Sequence, residues 1–183
     1  MTIRRTSFAG ARSWLAALAA AGVLAGCGLF GDRDPPSGEP SLYRSLAQKD
    51  AQVDAAAAQS MISGYRSNNG LGAVTVDPAL TRLAQEHSRA MAARDKLDHN
   101  VGREFKRRIA ESGFNAGVAV ENISAGYHTL AEAFSGWRDS PPHRANMLNR
   151  NVTRMGIAAV YSPQSKYKVF WTLILAAPDE RRG

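Results

Sequence analysis

The chain is poor in cysteine and histidine and has no long apolar segment. Cys27 is the single cysteine among 183 residues, so no disulfide can form within the chain. The apolar run at residues 14–26 is shorter than the roughly 20 residues that a membrane-spanning helix needs. No block of lysine and arginine is interleaved with aromatic residues, so nucleic acid is not a predicted partner. With 44% hydrophobic and 21% charged residues, the composition fits one globular domain preceded by a leader.

The N-terminal residues have the order of a secretory signal. Three arginines and no acidic residue precede the apolar run, which predicts a signal peptide over residues 1–26. The run ends in Leu-Ala-Gly followed by Cys27, which resembles a bacterial lipobox. That resemblance implies a lipidated Cys27, carrying an acyl chain such as palmitate, that attaches the protein to a membrane. Gly28 follows in place of an aspartate, which favours the outer membrane and a periplasm-facing protein of the cell envelope.

Downstream of Cys27 the composition changes twice. Residues 27–41 are rich in Gly, Pro and Ser and predict a tether, residues 42–178 predict the folded domain, and residues 179–183 predict a polar tail. Helical periodicity begins at about Leu42, and a second helix is expected to open at Asp77-Pro78.

Further elements follow from periodicity and turn residues. His87 falls on the apolar stripe of the second helix, where we expect a core histidine with one hydrogen-bonded ring nitrogen. A short basic helix is predicted at 103–112, a strand at 118–124, and a helix after Thr129, where Glu132 completes a capping box. Two terminal strands at 155–161 and 167–175 predict a hairpin. The fold class is therefore α+β, with helices stacked on a small antiparallel sheet.

Polar residues suited to chemistry gather in the second half of the chain. Ser140 precedes two prolines and is expected to cap the helix that contains His143 in its first turn. The positive end of that helix should lower the pKa of His143, and a neutral histidine can accept a proton or bind a metal. His99 lies in a polar stretch near a helix end, and Glu121 lies in or at the end of a predicted strand.

These residues carry a family resemblance. The segments that carry it are the Leu80-to-Met91 helix, His99, Glu121-Asn122-Ile123, and the motif from Trp137 through Ser140 and His143 to Leu148. In this order they resemble the bacterial branch of the CAP superfamily, which comprises cysteine-rich secretory proteins, antigen 5 and pathogenesis-related-one proteins, also called the SCP domain. The resemblance implies a three-layer α-β-α sandwich with a central cleft of two histidines and two acids.

Carried onto this chain, the cleft residues are His99, Glu121 and His143, with Ser140 at the position of the second acid. His99, His143 and Glu121 are the ligands that a divalent metal such as Zn²⁺ would use.

The function remains open among three classes, of which a binding module is favoured over an enzyme. The first is a lipid-anchored envelope module that binds a lipid, an envelope polymer such as peptidoglycan, or a protein. The second is a metal-dependent hydrolase or peptidase using His99, Glu121 and His143, with a metal-free acid/base pair of Glu121 and His143 as a variant. The third is a structural envelope protein with a vestigial cleft. Ser140 is a poor nucleophile, because its expected cap role occupies the hydroxyl.

Overall fold

The computed structural model describes residues 38–179. The predicted signal peptide, Cys27, and most of the predicted tether and tail lie outside the described residues. Among residues 38–179, none of the helices combines the length and the apolarity that crossing a bilayer requires.

Five helices and four strands form this part of the chain. In order they are α1 (Ala55–Asn68), β1 (Thr75–Val76), α2 (Pro78–Arg94), α3 (Phe105–Glu111), β2 (Ala116–Ala125), α4 (Leu130–Asp139), α5 (Pro141–Met147), β3 (Arg154–Tyr161) and β4 (Val169–Pro178).

Cap residues fix where the helices begin. The Asp77 carboxylate accepts from the amides of Ala79 and Leu80, so the predicted start of α2 is confirmed. Thr129 and Glu132 form the predicted capping box of α4. The prediction of helix from Leu42 onward is wrong. The Asp54 side chain caps α1 by accepting from the amide of Ala57, and residues 41–53 form turns and irregular chain instead.

The sheet has the strand order β1-β3-β4-β2. β3 and β4 form the expected antiparallel hairpin, and β2 pairs antiparallel with the other edge of β4. The two-residue β1, which the sequence did not indicate, adds a short parallel pair to β3. In the β2–β4 register, Glu121 lies opposite Ile174 and Asn122 lies opposite Leu173. Adjacent strand residues point to opposite faces, so the Glu121 and Asn122 side chains leave the sheet on different sides.

Helices cover both faces of the sheet, which confirms the three-layer α-β-α sandwich. On one face Trp171, Leu173 and Leu175 of β4 join a core with residues of α1, α4 and α5. On the other face Ile174 and Ala176 join a core with residues of α2 and α3. The α2 backbone lies directly on β3 at Gly156, where a Cβ atom would lie 2.1 Å from the carbonyl carbon of Leu80.

A buried arginine fixes α1 to the chain between α5 and β3. Arg66 is 1% exposed, and its guanidinium donates to four backbone carbonyls, with donor–acceptor distances of 2.8–3.1 Å. The acceptors belong to Gly72, Met147, Asn149 and Val152. Because four of the five N–H groups find an acceptor, the buried charge is solvated by peptide dipoles, and the C-terminal end of α5 is tied to α1.

Candidate functional site

Glu121 is a buried carboxylate in the middle of β2. Its side chain is 1% exposed and points to the face covered by α2 and α3. Arg108 of α3 donates to both carboxylate oxygens, with Nη1–Oε2 at 2.9 Å and Nη2–Oε1 at 3.0 Å. His99 Nδ1 lies 2.8 Å from Oε1. Both carboxylate oxygens of Glu121 are thus engaged by protein donors.

The ionised form of Glu121 follows from these partners. Burial alone would raise the pKa of Glu121, but the hydrogen bonds from His99 and Arg108 and the charge of Arg108 outweigh burial and leave this pKa below its ordinary value. A fork-to-fork pair of this kind is strong because two charge-assisted hydrogen bonds act together. Arg108 also lies over the Phe105 ring, with its guanidinium carbon 5.2 Å from the ring centroid.

His99 connects this buried pair to solvent. It lies between α2 and α3, and its side chain is 49% exposed. Because an ionised carboxylate only accepts hydrogen bonds, the proton of the His99–Glu121 contact is on Nδ1. Nε2 is therefore the ring nitrogen left for a ligand or water. The backbone carbonyl of His99 accepts from Arg108 Nη2 at 2.8 Å, so one guanidinium orients both the loop and the carboxylate.

His87 lies on α2 beneath the same carboxylate. It is 1% exposed, as the core prediction required, with Nε2 3.8 Å from Glu121 Oε1. Within residues 38–179 neither ring nitrogen has a direct partner of strict hydrogen-bonding geometry, although a backbone hydrogen-bond contribution from Asp98 acts to raise the pKa of His87. The predicted hydrogen bond to one ring nitrogen stays a prediction. Burial lowers the pKa of His87 to about 4, against the opposing attraction of Glu121. His87 is therefore a neutral neighbour of the ion pair at pH 7.

Two asparagines hold α5 against β2. Asn122 donates from its side chain to the carbonyl of His143 at 3.0 Å. Asn146 donates to the Glu121 carbonyl at 3.1 Å and to Asn122 Oδ1 at 2.9 Å. This chain of amide bonds places the first turn of α5 beside the strand that carries Glu121.

His143 is half-buried at that position. Its pKa is lowered, as predicted, but the first cause is burial, followed by the charge of nearby His99. The pKa of His143 thus depends in part on His99.

Ser140 occupies the cap position of α5 without capping it. Its backbone is extended, yet its hydroxyl makes no hydrogen bond to the helix amides, so the expected side-chain cap is wrong. The two prolines restrict the choice of donors. A cap side chain accepts from the second or third amide of the helix, and proline has no N–H at the first two positions, which leaves only the amide of His143. The neighbouring Asp139 pairs with Arg138 and is exposed, so it does not supply a second acid to the cleft.

The predicted metal site would have to use Glu121, whose two oxygens are already engaged by Arg108 and His99. Among residues 38–179, no three His, Cys, Asp or Glu side chains are grouped so as to hold a metal ion. Glu121 already shares both oxygens with Arg108, and a guanidinium at this carboxylate opposes a second cation by charge. The arrangement can orient His99 for hydrogen bonding or proton transfer without a metal, as a carboxylate orients the imidazole in other acid–base pairs.

Three partners of the predicted residues were given no role from the sequence, although Asn122 and Asn146 lie within the family motifs. Arg108, Asn122 and Asn146 complete the site, but in the sequence Arg108 was one of several arginines in a basic helix. A usable signal did exist, because a glutamate in an apolar strand needs a buried cation or several donors. Nothing local to residue 121 indicated which arginine would supply them.

A comparison with known families identifies the domain. Residues 59–175, more than half of the chain, match the family described as "CAP: Cysteine-rich secretory protein family". The chain belongs to the CAP family. The matched span includes the elements that carry His99, Glu121 and His143.

Relatives of this CAP domain are found in other bacteria. YkwD of Bacillus subtilis is 32% identical over 105 residues, which cover 56% of this chain and 40% of YkwD. This chain thus spans less than half the length of that relative.

Solved structures share the fold. An extracellular SCP-domain protein of Bacillus anthracis superposes with a TM-score of 0.58 at 24% identity, covering 66% of this chain and 39% of that one. An outer surface protein of Borrelia burgdorferi gives a TM-score of 0.62 at 16% identity, covering 70% of this chain and 98% of that one. At these identities the two structures support the fold alone.

Proposed function

We propose that this CAP domain is a ligand-binding module of the bacterial cell envelope, attached to a membrane through lipidated Cys27. The observation that carries the proposal is the engagement of both Glu121 oxygens by Arg108 and His99. A carboxylate held in this way is poorly placed to accept a proton from a substrate or to ligate a metal. It is well placed to fix the orientation of an exposed imidazole.

The ligand chemistry follows from the groups that the cleft presents. His99 offers Nε2 to solvent, and His143, with its lowered pKa, offers an uncharged ring from the start of α5. Ser140 adds a hydroxyl that does not cap its helix. These groups suit a ligand with hydroxyl and amide groups, and peptidoglycan presents both in quantity within the envelope. A lipid or a protein ligand would be selected by different contacts.

The envelope location is supported from two sides. The leader and lipobox-like residues predict export and acylation. The solved relatives include an extracellular protein and an outer surface protein, by their own descriptions. The outer membrane is the proposed site, because Gly28 follows Cys27.

A second candidate is hydrolysis with His99 as general base. The His99–Glu121 contact of 2.8 Å is the feature that favours it, since a carboxylate orients the ring of many catalytic histidines. Hydrolysis through a bound zinc ion is less favoured, because Glu121 is already engaged by Arg108 and His99. It stays a prediction, which titration of the full chain with zinc can decide.

Purified cell-wall sacculi provide the test. The full chain, purified in detergent, should co-sediment with sacculi, and the His99→Ala/His143→Ala variant should lose most of that binding. His128→Ala is the matched control, because His128 is exposed in the loop before α4. Sacculi incubated with the parent should release no new fragments on chromatography. Release that depends on His99 would favour the hydrolase, and equal sedimentation of the cleft variant would refute the proposed site.

The anchor is tested separately. Cells fed an alkyne analogue of palmitate should label the parent, and Cys27→Ser should abolish the label. Labelling that survives this substitution would refute lipidation at Cys27.

A further inference from the structure

A cavity of about 380 Å³ lies between α2, α3 and the chain that precedes α3. Its apolar lining comes from Leu83, Ala90 and Val101. Clefts between helices that combine apolar lining with a few polar groups are common ligand sites, and this volume falls in their range. The residues of the proposed cleft are all absent from this lining: His99, Glu121, Ser140 and His143.

The two helices run in opposite directions along the cavity. At one end, Arg82 Nη2 of α2 donates to the carbonyl of Ser112, directly after α3, at 3.4 Å. At the other end, a Cβ atom added at Gly102 would lie 3.8 Å from Arg94 Nη1. The last turn of α2 therefore lies beside the chain that enters α3, and an earlier turn of α2 lies beside the end of α3.

Opposite charges stand at the two ends of the cavity. Arg103 and Glu111 both line it but pair with each other, so their charges largely cancel. Glu86 and Arg94 also line it, are exposed, and within residues 38–179 neither side chain has an ion-pair or hydrogen-bond partner. They are eight residues apart on α2, which is about 12 Å along the helix axis. A ligand with one positive and one negative group at a similar separation would complement both.

Arg108 supplies a buried donor to the same cavity. It is among the lining residues, and its side chain is 7% exposed. Four of its five N–H groups donate, to the two Glu121 carboxylate oxygens and to the carbonyls of His99 and Arg103. The remaining N–H is on Nη1, and no acceptor for it lies among the described residues. A buried N–H is costly to leave unpaired, so an oxygen atom of a ligand is favoured there.

We propose that this cavity binds a short peptide of about three residues with both termini free. The C-terminal carboxylate accepts from Arg94 and from the remaining N–H of Arg108, and the N-terminal ammonium meets Glu86. An extended tripeptide is about 10 Å long, which fits the spacing of the two charges. The apolar lining suits small side chains such as those of alanine. This site is additional to the proposed cleft and does not rest on its function.

Isothermal titration calorimetry of the full chain in detergent with tri-L-alanine, at about pH 7 and about 0.05 M salt, tests the proposal. Saturable binding is expected at or below about 1 mM, and it should weaken as the salt concentration rises. N-acetyl-trialanine lacks the ammonium group and trialanine amide lacks the carboxylate. Each should bind at least about tenfold more weakly than the free peptide, because each loses a charge-assisted contact.

Two protein variants assign the ends of the peptide. Arg94→Gln should weaken trialanine binding about tenfold but leave binding of the amide unchanged, because the amide lacks the charge that Arg94 meets. Glu86→Gln should weaken trialanine binding to a similar degree but leave binding of the acetylated peptide unchanged. Both side chains are exposed, so neither substitution should disturb the fold. Arg89→Gln, also exposed on α2 but outside this cavity, is the matched control and should bind like the parent.

Retained binding in His143→Ala is expected and separates this site from the proposed cleft, whose failure or success the sacculus experiment decides independently. Loss of trialanine binding in His143→Ala would place the peptide in the cleft and overturn the proposal. Absence of saturable binding at about 10 mM trialanine would also overturn it, as would equal binding of the free and blocked peptides, or parent-like affinity in both Arg94→Gln and Glu86→Gln.

Discussion

Arg108 and Glu121 form a buried, two-pronged ion pair that joins α3 to β2, with donor–acceptor distances of 2.9 and 3.0 Å. The side chains are 7% and 1% exposed. Replacing one member leaves the other charge without compensation in a poorly solvated place. The pair therefore decides whether the loop that carries His99 is held in position.

Arg108→Met should lower the free energy of unfolding by roughly 3–5 kcal/mol, the usual cost of breaking a buried pair from one side. Urea denaturation followed by circular dichroism measures it. Arg107→Met is the matched control, because Arg107 pairs with Glu111 on the exposed side of the same helix, and its unfolding midpoint should not change measurably. Arg108→Met/Glu121→Gln should regain part of the loss, and a double variant no more stable than the single one would contradict the pairing.

The stability of the fold should fall on mild acidification because of His87. Its pKa is about 4 in the folded chain and 6.5 ordinarily, so between these values the unfolded chain takes up a proton that the folded chain rejects. The stability is fully present above pH 6.5 and is lost as the pH falls toward about 4, by roughly 3 kcal/mol at most.

Urea unfolding at pH 7 and pH 5 separates the groups that titrate. The contribution of Glu121 is present above its ordinary pKa of 4.5 and is lost only as the pH falls through its lower folded pKa, below this interval. His87→Leu should remove most of the difference between the two pH values, and His143, whose pKa is also lowered, should account for the remainder. An unchanged difference in His87→Leu would show that His87 is not the source.

Asn146→Ala should release the start of α5 from β2. The substitution removes the donor to the Glu121 carbonyl and to Asn122 Oδ1, and should cost about 1–3 kcal/mol through unsatisfied acceptors. His143 should become more solvated, so its pKa should rise toward its ordinary value in a histidine NMR titration. Asn151→Ala, at an exposed turn residue, is the control, and it should change neither the free energy of unfolding nor the pKa of His143. A His143 titration that is the same in both variants would contradict the role of Asn146.

The two buried tryptophans should respond differently to the same substitution. Trp137 and Trp171 are both at most 1% exposed and meet edge-to-face at 6.3 Å. The indole N–H of Trp171 donates to the Tyr127 carbonyl at 2.8 Å, whereas that of Trp137 has no partner within the described residues. Trp171→Phe should therefore destabilise the fold by about 1–3 kcal/mol more than Trp137→Phe. Only the Trp171 substitution leaves a buried carbonyl, that of Tyr127, without its donor. Equal losses in urea denaturation would refute this difference.

Local signals in the sequence were sufficient to predict an element where a single residue decides where that element begins. Asp77 and Thr129 start their helices through their own side chains, and the terminal hairpin follows from its strand pattern and short loop. The start of α1 was mispredicted because an alanine-rich pattern extends upstream of the cap at Asp54. β1 was not predicted, because two residues are too few to show the alternating pattern of a strand. Only their pairing with β3 makes them a strand.

The sequence named the residues of the candidate site but not the bonds among them. Family motifs pointed to His99, Glu121 and His143, and the structure brings His99 and Glu121 into contact. Arg108 lies 13 residues before Glu121, and its role depends on how α3 packs on the sheet. That packing is nonlocal, which is why the salt bridge at Glu121 could not be predicted from the sequence.

The tautomer of His99 tests the central claim most directly. A long-range ¹H–¹⁵N spectrum of the histidine rings, recorded at about pH 8 before and after addition of zinc, reports which nitrogen carries the proton. We predict a proton on Nδ1 of His99 in the parent and no joint shift of His99 and His143 with zinc. A proton on Nε2 in the parent, or a stoichiometric zinc shift of both rings, would contradict it.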